Sequence, residues 1–141
     1  MGTTTGLTLH GVPLNQLGVQ LLSTEQIAEI ISTSRAYIER QGWIKEALRD
    51  QDGRVCSRGG IVYSQGWLEE WEDEDEIEDL DRITRCHLMQ VEAAVMDAIG
   101  EDAAALVRWN DAVVSGEQEV LDTFAKAEKL LLNDGVDPDA V

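Results

Sequence analysis

Apolar residues recur at helical spacing in three long segments of the chain, and between those segments the order is lost. In the first, Ile27, Ile30, Ile31, Tyr37 and Ile38 share one face. Ser23, with Gln26 three residues on, forms a capping-box signature, and Gly42 supplies a stop, so a helix is predicted over 24–41. In the second, Ile77, Leu80, Thr84, Leu88, Val91, Val95 and Ile99 line up, which predicts a helix from near Asp75 to Gly100. In the third, Val120, Leu121, Phe124, Ala127 and Leu131 follow a second box at Ser115 and Gln118, predicting a helix to about Asn133.

The intervening stretches are less regular. Thr5 to Val12 alternates like an exposed strand, and Leu14 to Leu22 is apolar enough for a short helix interrupted by Gly18. Asp52-Gly53 is a hairpin turn signal, so a short β-hairpin is expected near 44–56. Ser57 is placed to cap a short helix carrying Ile61 and Val62, although Gly59, Gly60 and Gly66 weaken it. Glu101 to Arg108 reads as a brief helix ending at Trp109-Asn110-Asp111, where the polar pair suits a turn bonding nearby backbone. The fold class is therefore mostly α: a small domain of four to five helices. It divides into an arm at 1–22, a helical body at 23–134 and a tail at 135–141.

Composition supports one core and narrows the setting. A chain of 141 residues with 43% hydrophobic side chains suits one domain. Its two cysteines, Cys56 and Cys86, are too few in a chain of this length for a disulfide scaffold, which favours a reducing, cytoplasmic setting. Met1 to Thr5 lacks the basic and apolar segments of a signal peptide. Met1-Gly2 with Thr5 loosely fits a myristoylation start, but no polybasic patch offers a second anchor. Apolar runs such as Leu130-Leu131-Leu132 fall far short of the ~20 residues of a membrane span.

Charge changes the picture most. The net charge is −17, and Glu69 to Asp81 holds ten acids and no base, leaving −7 for the rest of the chain. Such a field repels phosphate, so direct nucleic-acid binding is excluded while a basic protein partner is favoured. Trp67 and Trp71 flank the first acids as an aromatic anchor ringed by charge would. The candidate partner-binding residues are Trp67, Leu68, Glu69, Glu70, Trp71, Glu72, Asp73 and Glu74. A continuous helix over 69–81 would carry one charge per ~2 Å, close to the ~1.7 Å of duplex DNA, which raises DNA mimicry as an alternative. Five like-charge pairs four residues apart, from Glu69/Asp73 to Asp75/Asp79, would penalise that helix by roughly 1–2.5 kcal/mol.

Catalytic and metal chemistry find little support. Cys56, Cys86, His87 and His10 lack the paired spacing of structural zinc, and adjacent Cys86 and His87 diverge by about 100° on a helix. The acidic run contains no glycine, which an EF-hand loop requires. No nucleophile elbow or phosphate-binding loop with its lysine is present. No catalytic residue, metal ligand or cofactor site is therefore assigned.

Two segments carry a resemblance. Gly42-Trp43, Ala47-Leu48, Asp50, Asp52-Gly53-Arg54-Val55-Cys56 and Gly59 form the first; Trp109-Asn110-Asp111 and Glu119-Val120-Leu121 form the second. Together with the opening helix they resemble an uncharacterised domain family of actinobacteria and their phages, over about 24–132. The resemblance implies a small helical domain and a phage or accessory gene, with no activity attached. Glu46 stands where the family usually has glycine, and the acidic run looks like an insertion. The expected function is a non-enzymatic, acidic protein-interaction module. The alternative is a structural subunit of a larger assembly, such as a virion, using the 1–22 arm; a homo-oligomer is compatible with either.

Overall fold

Ser23 starts the first helix as its sequence predicts. Its hydroxyl accepts from the Gln26 N–H at 3.1 Å, and Gln26 Oε1 accepts from the Ser23 N–H at 2.8 Å, so both halves of the box form. The computed structural model describes residues 8–9, 12–13, 18, 20–72 and 74–133. Its helices are α1 (Thr24–Gln41), α2 (Ser57–Ser64), α3 (Arg82–Asp97), α4 (Leu106–Arg108) and α5 (Glu117–Leu132). The fold is mostly α.

The core forms where the predicted faces meet. Ile27, Ile31 and Ile38 of α1 pack with Val120, Phe124 and Ala127 of α5, while Val91, Val95 and Met96 of α3 close the cluster. The glycines of α2 permit close packing. A Cβ at Gly60 would lie 2.4 Å from Ile38 Cγ1, and one at Gly59 would lie 2.2 Å from the Leu48 carbonyl oxygen. Residues that lower helix propensity thus let α2 seat directly on α1 and on the preceding loop.

Buried polar groups help tie α3 to the rest. Fully buried Gln90 accepts from the Leu22 N–H at 2.9 Å and donates to the Leu22 carbonyl at 3.2 Å, clamping the chain as it enters the body. Arg58 of α2 meets Glu92 at 2.6 Å, with the carboxylate buried. Burial pushes the Glu92 carboxyl up, and the Arg58 guanidinium pulls it back.

Several local expectations need correction. Among the described residues, Thr8–Leu9 and Val12–Pro13 form the strands, β1 and β2, paired antiparallel with Leu9 opposite Val12. Gln20 to Leu22 is not helical, and Leu14 to Leu17 lies outside the described residues, as does the 135–141 tail. The hairpin expected near 44–56 is not built. Val55 instead forms isolated bridges to both Trp43 and Arg49. The turn is closed by Asp50, whose carboxylate takes the N–H groups of Asp52 and Arg54 at 3.0 and 2.8 Å. Cys56, not Ser57, caps α2, its sulfur accepting from the Gly59 N–H at 3.3 Å.

The second long helix begins at Arg82 rather than near Asp75, because Asp81 caps it by accepting from the Thr84 N–H at 2.8 Å. Glu74–Asp79 is a 3-10 helix that still turns Ile77 into the core. The helical run does not stop at Trp109 but continues as a π-helix over Trp109–Val113. Gly116 is the N-cap of α5, while Ser115 N–H and hydroxyl both bond Glu119 Oε1, at 2.8 and 2.9 Å.

Candidate functional site

Where α2 ends, Gly66 takes a φ of 71° and reverses the chain. The N–H groups of Trp67 and Leu68 then both reach the Val62 carbonyl, at 2.9 and 3.3 Å. Leu68 enters the core, and half-buried Trp67 packs against it. The acidic segment begins beyond this seam.

Glu69 to Glu72 is a closed turn. The Glu72 N–H donates to the Glu69 carbonyl at 2.9 Å, and Glu72 Oε1 accepts from the Glu69 N–H at 2.8 Å. The Tyr63 hydroxyl, at the base of the turn, donates to the Glu72 carbonyl. Arg49 lies over the Tyr63 ring, 5.4 Å from its centroid, donates to the Tyr37 hydroxyl at 3.0 Å and reaches Glu70 at 3.8 Å. At the apex Trp71 is 80% exposed, beside exposed Glu69 and Glu70.

The structure therefore divides the predicted partner-binding residues. Trp67 and Leu68 face the body; Glu69, Glu70 and Trp71 face solvent; half-buried Glu72 folds back to close the turn. Asp73 and the side chain of Glu74 lie outside the described residues. The charge spacing of a continuous α-helix does not apply, since a turn and a 3-10 segment carry these acids. Asp81 is spent on the cap of α3, where the Thr84 N–H and hydroxyl hold its carboxyl below the usual range. Tyr63 and Arg49, which support the turn, carry no sequence signal; their role arises from long-range packing.

A second polar cluster joins the two motif segments. Asn110 Oδ1 accepts from Trp43 Nε1 at 2.7 Å, Ser57 N–H at 2.9 Å and the Ser57 hydroxyl at 2.6 Å. Asn110 Nδ2 donates to the Ile44 carbonyl at 3.3 Å, and Asp111 accepts from the Glu46 N–H at 2.8 Å. Expected to bond nearby backbone, Asn110 and Asp111 instead reach across the fold. The π-turn at Trp109–Val113 aims them there while Trp109 stays buried.

Both thiols are buried. Burial pushes Cys56 up to about 11, so it is protonated at neutral pH, and burial raises Cys86 as well. His87 Nε2 lies 2.9 Å from the Gln20 carbonyl oxygen. Among the described residues no group of three His, Cys, Asp or Glu side chains is placed to hold a metal ion. Among them, too, no helix is long and apolar enough to cross a membrane.

Comparison with known proteins returned no match among curated proteins or solved structures. Residues 22–130 match a family described as a family of unknown function, DUF6197. That span starts at Leu22, where Gln90 clamps the entering chain, and includes both the Asn110 cluster and the acidic turn. The chain belongs to this family of unknown function, DUF6197.

Proposed function

We propose that this protein is a non-enzymatic interaction module whose acidic turn binds a basic surface on a partner protein, with Trp71 as its anchor. The observation that carries the reading is an indole 80% exposed at the apex of a hydrogen-bonded turn and flanked by solvent-facing carboxylates. Removing such a side chain from water is worth roughly 4 kcal/mol at about 25 cal/mol per Å². A guanidinium or ammonium stacked on the ring gains further from the π face and from Glu69 and Glu70. The net charge of −17 steers basic partners toward the protein. Protonated, buried Cys56 supports a role without thiol catalysis. Two free thiols suit a reducing compartment such as the cytoplasm, and the resemblance to actinobacterial and phage proteins favours a host protein as partner.

Titration with an arginine-rich peptide tests this directly. Binding is expected to saturate at low salt and weaken at high salt. Trp71→Ala should reduce affinity roughly tenfold or more. Wild-type affinity in both Trp71→Ala and a Glu69→Gln, Glu70→Gln variant would refute the proposal.

A further inference from the structure

We infer that Tyr63 is the positioning residue of the Trp71 surface, fixing from the helical body the turn that presents the indole. This deepens the reading of Trp71 as the anchor and rests on it. Tyr63 lies in the last turn of α2 with its ring buried, yet its hydroxyl reaches out to the carbonyl of Glu72, the residue after Trp71. Arg49 covers the same ring and reaches Glu70, the residue before Trp71. The indole is therefore flanked on both sides by residues held from the body, while its own ring stays outside.

Of the two grips, Tyr63 carries more. Its bond runs from a buried side chain to backbone, whereas Arg49 meets a mostly exposed carboxylate at 3.8 Å, a kind of pair that contributes little. The closure between Glu69 and Glu72 shapes the turn but does not tie it to the domain. Tyr63 supplies that tie. The ordering cost of presenting Trp71 is thus met during folding rather than when a partner arrives.

Tyr63→Phe removes the hydroxyl and keeps the ring. Backbone ¹⁵N relaxation over residues 69–72 reads the turn without any partner, and Trp71→Phe assigns the Trp71 indole signal. Order parameters near ~0.85 in the wild type should fall below ~0.6 in Tyr63→Phe, with the buried Trp109 indole signal unchanged. Affinity for the arginine-rich peptide should weaken roughly threefold to tenfold. Unchanged order in Tyr63→Phe overturns the assignment, and so does lost order with unchanged affinity. Full affinity in Trp71→Ala instead removes the anchor reading, a separate failure because the relaxation measurement involves no peptide.

Discussion

Asn110 and Ser57 meet through one oxygen: Asn110 Oδ1 accepts both the Ser57 N–H at 2.9 Å and the Ser57 hydroxyl at 2.6 Å. Trp43 Nε1 adds a third donor to the same atom. The loop before α2, the start of α2 and the π-turn are thereby fastened at one buried point, which gives the two motif segments a shared structural purpose.

Asn110→Ala should destabilise the fold by about 3 kcal/mol. The substitution strands the buried Ser57 N–H and deprives Trp43 of its acceptor, so desolvation goes uncompensated. A urea unfolding midpoint lowered with an unchanged slope checks this. A cost under about 1 kcal/mol would mean that water replaces the amide.

Arg58→Met should cost about 3–5 kcal/mol at neutral pH, because it leaves the buried Glu92 carboxylate without its guanidinium. The sign of the pH dependence follows from the upward shift of Glu92 above its ordinary 4.5. Between 4.5 and the raised folded value, the folded state holds the proton more tightly, so stability from this group rises as pH falls. Removing Arg58 raises the folded value further, and the deficit of the variant should narrow between pH 7 and about 5. Asp81 and Glu119, held low by Thr84 and Ser115, lose their contribution as pH falls, but equally in both proteins. Chemical denaturation of the pair at the two pH values reads the difference; a deficit that widens in acid contradicts it.

Gly59→Ala should be costlier than Gly60→Ala. At Gly59 the added methyl meets the Leu48 carbonyl at 2.2 Å, which is backbone, whereas at Gly60 it meets the Ile38 side chain at 2.4 Å. Expected losses are about 3 kcal/mol or more and about 1–3 kcal/mol, measured as thermal midpoints.

Glu46→Gly should stabilise the protein by up to about 1 kcal/mol. Glu46 holds a φ of 64°, a left-handed conformation that strains a side chain and suits glycine. Its N–H bond to Asp111 is unaffected by the change. A lower thermal midpoint in Glu46→Gly would show that the unfolded chain gains more freedom than the fold loses strain.

Local signals were legible where one element satisfied itself. The Ser23–Gln26 box and the isoleucine face mark α1, and the apolar periodicity of α3 and α5 matches the observed helices along most of their length. Starts were less legible. Ser115 looks like a cap by spacing, yet Glu119 takes its N–H and hydroxyl and leaves Gly116 at the boundary. The acids ahead of Arg82 continue the apolar period through Ile77, but mutual repulsion and the Asp81 cap delay the α-helix. Of the candidate residues, Trp71 and its acids stand out in sequence and are exposed, whereas Trp67 and Leu68, equally prominent in sequence, pack inward. Support from Tyr63 and Arg49 was invisible, because contacts across the fold leave no periodic trace.

Gln90 recognises Leu22 through the two poles of a single residue's main chain, one N–H and one carbonyl. Every residue except proline offers that pair. These two bonds are consequently indifferent to side-chain identity at the threshold of the domain, where packing of the Leu22 side chain on the core adds to them. Both hydrogen bonds would survive replacement of Leu22 by any residue but proline, with no change in Gln90.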